Sequence, residues 1–96
     1  MYKILYMDGS RKNLQEIADY LDDIDIGLAD KILDEIKERI KSLENMPFRF
    51  PKYIYNQNYR WTGVKNYMIF YKVIDNTKTV EIHRVLHGAR NIKELL

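Results

Sequence analysis

Ninety-six residues with 46% hydrophobic and 31% charged side chains are expected to build one domain with one small core, and the profile excludes a disordered chain. Cysteine is absent, which excludes disulfide frameworks and thiolate metal sites and suits a reducing cytoplasm. The net charge of +2 hides an asymmetry: residues 1–46 carry 7 Lys/Arg against 11 Asp/Glu, whereas residues 47–96 carry 9 against 3.

An acidic half joined to a basic half points to a polyanion-facing surface at one end of the molecule. The plainer reading is that helices carry more acids than strands do. No apolar run reaches the roughly 20 residues of a membrane helix, and the N-terminus lacks the apolar stretch of a signal peptide.

The opening residues 2–7, YKILYM, are aromatic and β-branched and predict a first strand. Asp8-Gly9-Ser10 breaks it, and Ser10 or Asp8 is placed to cap a helix. Leu14, Ile17, Ala18 and Leu21 then recur at helical spacing. DDIDIG ends that helix, and a second runs over about residues 28–46 with Ala29, Ile32, Leu33, Ile36, Ile40 and Leu43 on one stripe. So short a link predicts an antiparallel helical hairpin. Pro47 stops the second helix. FRFPKYIYNQN mixes aromatic and basic residues in a loop, and Pro51 argues against a central strand there. Three strands follow in meander order, over residues 59–64, 67–74 and 79–87. Gly88 ends the last, and ARNIKELL predicts a short terminal helix.

The DNTK turn implies a register. A two-residue loop and a four-residue loop share one centre, so either pairs Val73 with Val80, Tyr71 with Ile82, Ile69 with Arg84 and Tyr67 with Leu86. The opposite face then pairs Lys72 with Glu81, Phe70 with His83, Met68 with Val85 and Asn66 with His87. On this reading the first set packs on the helices. The second is open and carries both histidines. Arg84 would stand on the core face, paired with a carboxylate of an acidic helix; a phosphate contact is the alternative.

Two histidines four apart on a regular strand are about 13 Å apart and, without cysteine, make a poor metal site, so no metal and no cofactor is expected. No Gly-rich phosphate loop or Gly-x-Ser-x-Gly elbow is present. Metal-independent ribonuclease chemistry needs a base, a cation on the phosphorane and an acid. His83, His87 and Arg90 are residues of those types. Solvated surface histidines are the commoner case.

The stretch NYMIFYKVIDNTKTVEIHRVLHGARNIKELL closely resembles the C-terminal half of the RelE/ParE superfamily of bacterial type II toxins. Its most specific features are Asn-Tyr-x-Ile-Phe-Tyr and Arg-Val-Leu-His-Gly-Ala-Arg (residues 84–90). The strand, LQEIADYL and the second amphipathic helix resemble the N-terminal half. The resemblance implies an α+β fold, with an N-terminal strand, an antiparallel helical hairpin packed on a twisted antiparallel sheet, and a short C-terminal helix. It also implies a single toxin domain over residues 1–96, held inactive by a cognate antitoxin protein.

Superfamily branches differ in target. RelE-like members cleave mRNA on the ribosome, and ParE-like members poison DNA gyrase. Arg90 matches an arginine that the RelE-like enzymes use on the transition state. Met68 stands where they have arginine, and Leu96 about where they have a catalytic tyrosine. Losing one such charged contact typically costs about 2.7–4 kcal/mol of transition-state stabilisation. The wording Val-Leu-His-Gly-Ala-Arg also favours the ParE branch. The expectation is therefore a toxin that binds an essential target such as gyrase, through Arg49, Lys52, Arg60, Lys65, Lys72 and the aromatic loop at residues 48–55. A ribosome-dependent mRNA endonuclease using Arg90 with His87 or His83 is the alternative. A third reading is a decayed member that binds only its antitoxin.

Overall fold

The computed structural model describes residues 1–96, the side chain of Ile26 excepted. Strand β1 (Lys3–Tyr6) leads into helix α1 (Asp8–Asp22), which turns into α2 (Ile26–Ser42). Four strands follow, β2 (Lys52–Tyr53), β3 (Asn56–Val64), β4 (Tyr67–Ile74) and β5 (Thr79–His87), and then a one-turn helix α3 (Ile92–Leu95). The sheet order is β1-β5-β4-β3-β2. Strand β1 runs parallel to β5, and every other neighbouring pair is antiparallel. The parallel pair is possible because the helical hairpin carries the chain away from β1, and parallel neighbours need such a long connection.

The helices form where apolar spacing predicts them, but their ends differ. α1 starts at Asp8, with Met7 in the N-cap position. Ser10 does not cap; it is buried in the first turn and donates its hydroxyl back to Met7 O at 2.7 Å. α2 starts two residues early because the Asp25 carboxylate accepts from Gly27 N–H at 3.0 Å, a true side-chain cap. It stops at Ser42 rather than Met46. Leu43 and Glu44 donate to the carbonyls of Ile40 and Lys41, which tightens the last turn before Pro47.

Ile17, Leu21, Ala29, Ile36, Ile40 and Leu43 bury against one face of the sheet, on Ile69, Tyr71, Val80, Ile82 and Val85. The other face is not open. Tyr53, Phe70, Leu86 and Ile92 form a second buried cluster there, flanked by Trp61, Met68, Leu95 and Leu96. The loop after Pro51 thus contributes an edge strand. Tyr53 anchors it with its ring 5.0 Å from Phe70, edge to face.

The register of the β4–β5 ribbon departs from expectation at one point. Val73–Val80, Lys72–Glu81 and Tyr71–Ile82 pair as the turn dictates. The next pairs are Phe70–Arg84, Ile69–Val85, Met68–Leu86 and Tyr67–His87, because His83 is an extra residue in a β-bulge. The expected pairs Ile69–Arg84 and Tyr67–Leu86, and on the other face Phe70–His83, Met68–Val85 and Asn66–His87, are therefore wrong.

Burial supplies the reason. A regular strand would aim Arg84 at the helices beside Ile69, and a guanidinium without a partner in an apolar core costs several kcal/mol. With the bulge, Val85 takes that core position at 1% exposure. Arg84 donates instead to His83 O at 2.8 Å and to Leu95 O at 3.4 Å. Its expected carboxylate partner is replaced by carbonyls that tie α3 to β5.

Candidate functional site

The bulge also separates the histidines, which were expected on one open face. His87 stands beside Tyr67 on the helix side, their rings 5.4 Å apart. There it lines a cleft of about 360 Å³ together with Asn13, Glu16, Tyr20, Tyr67 and Arg90. His83 lies on the other side of the sheet, with its ring 5.4 Å from Tyr59.

The cleft between α1 and the end of the ribbon brings together two of the three residues considered for catalysis, His87 and Arg90. Its chemistry is restricted. Ala89 N–H donates to His87 Nδ1 at 3.1 Å. In the neutral ring Nε2 then carries the proton, so His87 presents a donor and its lone pair is occupied. That is a poor starting point for a general base. Asn13, which sequence patterning passes over, accepts from Val85 N–H at 3.0 Å and fixes α1 on β5. Burial, followed by the nearby Tyr20 phenol, pushes Tyr67 above the usual tyrosine range, so it stays a neutral donor.

His83 has the opposite geometry. Its Nε2 is 3.0 Å from Glu81 Oε1, and a carboxylate only accepts, so in the neutral ring Nε2 holds the proton and Nδ1 keeps the lone pair. Lys72 Nζ lies 4.7 Å above the Tyr59 ring beside this pair. Glu81 and Tyr59 were not singled out from the sequence. The alternation of β5 places Glu81 on the His83 face, and that was the available signal.

The basic residues fall into separate groups. Arg60 Nη1 donates to Phe50 O at 2.7 Å, and its guanidinium lies over the Phe48 ring. Arg49 donates to Ser42 Oγ at 2.9 Å and stacks on Phe50. Both hold the loop at residues 48–50 in place. Lys65, at the β3–β4 turn, sits 3.8 Å from Glu35 and away from the rest. Lys52, Arg60 and Lys72 converge on a cleft of about 390 Å³ with Phe48, Tyr59 and Asn58. Met68 and Leu96, which stand at the departures from the ribonuclease pattern, pack in the second cluster.

The sequence matches the family described as "ParE toxin of type II toxin-antitoxin system, parDE" over residues 4–92. No curated protein matches it. Among solved structures, it is similar to a chain of the RelBE2 toxin–antitoxin complex from Mycobacterium tuberculosis. That likeness has a TM-score of 0.69 and 22% identity, covering 90% of this chain and 96% of that one. It is also similar to a chain of the chromosomal ParDE system from P. aeruginosa, with a TM-score of 0.77 and 19% identity, covering 91% and 96%. At these identities the structural likeness establishes the fold.

Proposed function

Because the chain belongs to the ParE toxin family of type II toxin–antitoxin systems, we propose that it arrests growth by binding an essential target, DNA gyrase, and that a cognate antitoxin neutralises it. The observation that carries a binding mode is the separation of the imidazoles: His83 and the His87–Arg90 pair are on opposite faces of the sheet. A phosphodiester at one face meets only part of the set that cleavage needs. The loss of arginine at Met68 adds to this.

An antitoxin segment fits the groove lined by Tyr6, Leu14, Ala18 and Leu33, which has a volume of about 430 Å³. It lies beside β1, whose outer side is a free sheet edge. Such a surface takes an amphipathic helix or an added strand. The solved relatives, which come from toxin–antitoxin complexes, support an antitoxin partner.

The test is a supercoiling assay with purified gyrase, paired with induction in cells. The expected result is loss of supercoiling and gyrase-dependent DNA breaks, with His83→Ala and His87→Ala still toxic. Normal supercoiling beside growth arrest would overturn the reading.

One feature favours the second reading, a ribosome-dependent mRNA endonuclease. The Glu81–His83 pair is a carboxylate-oriented imidazole next to Lys72, the arrangement that activates a general base. In that case primer extension shows codon-phased cuts that vanish in His83→Ala.

A further inference from the structure

The β3–β4 ladder runs from Val64–Tyr67 to Arg60–Tyr71 and stops. Beyond it the two strands diverge. Residues 56–59 of β3 swing toward β2, where Asn56 pairs with Tyr53, while residues 72–74 stay paired with β5. The fork between them is the cleft of about 390 Å³ that Lys52, Arg60 and Lys72 enter.

We propose that this fork is a binding site for a short single-stranded segment of DNA; the choice of DNA rests on the gyrase reading. Three cations face the cleft, and no Asp or Glu is among its lining residues. Arg60 donates only to neutral carbonyls, so its charge is not cancelled. Phe48, 51% exposed at the cleft with the Arg60 guanidinium over its ring, offers an aromatic–cation pair against which a base can stack. Gln57 and Asn58 bring exposed amides that can meet base edges.

Cations spaced along a groove with an aromatic platform are the elements of single-strand recognition. A cleft between two strands of one sheet admits an extended chain and not a double helix. Charge alone would also admit an acidic peptide, but the ring and the amides favour bases over carboxylates.

The test is fluorescence anisotropy of the purified chain with a labelled 12-nucleotide thymidine DNA oligomer. Arms with the uridine RNA oligomer, a DNA duplex and poly-glutamate accompany it. Expected is binding to single-stranded DNA that weakens about 20-fold between 50 and 200 mM salt, as about three single-strand phosphate contacts require. Lys52→Gln and Lys72→Gln should each lower the salt slope by about 0.7. Phe48→Ala should weaken binding about 5-fold or more without changing the slope. Circular dichroism checks that each variant folds.

No binding, binding indifferent to all three variants, tighter binding of RNA, or equal binding of poly-glutamate overturns the proposal. The supercoiling assay run on the same samples separates the two claims. Gyrase inhibition without oligomer binding removes the site and leaves the target. Variant-sensitive DNA binding without gyrase inhibition leaves the site and removes the target.

Discussion

Gly9 is in the first turn of α1, where alanine would ordinarily stabilise the helix by about 0.5–1 kcal/mol. Here a Cβ at Gly9 would come within 1.6 Å of Arg84 Nη1 and 2.9 Å of His83 O. The guanidinium is the movable part, and moving it gives up the bonds to His83 O and Leu95 O. A hydrogen bond to a charged group is worth about 1.5–3 kcal/mol, and the 3.4 Å bond to Leu95 lies at the weak end. The carbonyl of His83 is backbone and yields less readily. Set against the helical gain, Gly9→Ala should cost about 1–2 kcal/mol. Urea unfolding followed by circular dichroism gives the value. Fluorescence of Trp61, the only tryptophan, reports on the cluster that α3 helps to close. The decisive measurement is the cycle with Arg84→Ala. In that background the severe contact is gone, so the cost of Gly9→Ala should fall by about 1 kcal/mol, well beyond the few tenths expected of independent sites. Equal costs in both backgrounds, or stabilisation by Gly9→Ala in the parent, would refute the packing argument.

Four further outcomes follow from buried or paired groups. Tyr71 donates its hydroxyl to Pro47 O at 2.8 Å inside the core, so Tyr71→Phe should cost about 1–2 kcal/mol near neutral pH in urea unfolding. Burial pushes the Tyr71 phenol up to about 12. The unfolded chain ionises near pH 10 and the folded chain does not, so stability is intact below about pH 10 and falls by about 2–3 kcal/mol as pH rises to 12. Tyr71→Phe should flatten that part of the alkaline limb. Arg39 Nη1 donates to Thr62 Oγ1 at 2.6 Å and to Gly63 O at 3.0 Å. Thr62 is buried, so Arg39→Leu should cost about 1–3 kcal/mol in the same assay. The Tyr2 hydroxyl, and after it the Lys78 ammonium, hold the Asp75 carboxyl below its usual range. That contribution is present above the unfolded value near 4 and is lost as pH falls through the folded value. Asp75→Asn should therefore reduce the acid dependence of the thermal midpoint.

The helices were legible because their signal is local: six apolar residues of α2 and its C-cap repeat at helical spacing, and all join the core cluster, Ile32 and Leu33 at its partly buried margin. The three pairs next to the DNTK turn were legible for a similar reason, since loop length alone centres them. What lay beyond Tyr71 was not legible from loop length, because a single inserted residue leaves the composition unchanged. The phase of β5 did carry a trace of it. Apolar residues occupy 80 and 82, and then the core position passes to 85 with arginine at 84. A strict alternation would have buried a cation, and that conflict marks the bulge. The place of β1 in the sheet and the closure of the second face by α3 depend on contacts far apart in sequence. The fork between β3 and β4 begins in Asn-Gln-Asn, residues of low strand propensity, so the strand there owes its form to pairing with β2.

The same inserted residue decides what the histidines can do together. On an unbroken strand, residues 83 and 87 share a face, and Arg90 would follow them to it. The bulge rotates the chain after His83, so His87 and Arg90 turn toward α1 while His83 stays with Glu81 and Tyr59. What drives the rotation is the exclusion of Arg84 from the apolar core, a requirement of stability and not of chemistry. An acid–base pair made from both imidazoles would need residue 84 to be an apolar residue that could face the helices. As long as arginine stands there, folding and convergence of the two histidines oppose each other. The basic fork shares Tyr59 and Lys72 with the His83 side and includes neither His87 nor Arg90, so its cations act on a partner without the two imidazoles converging.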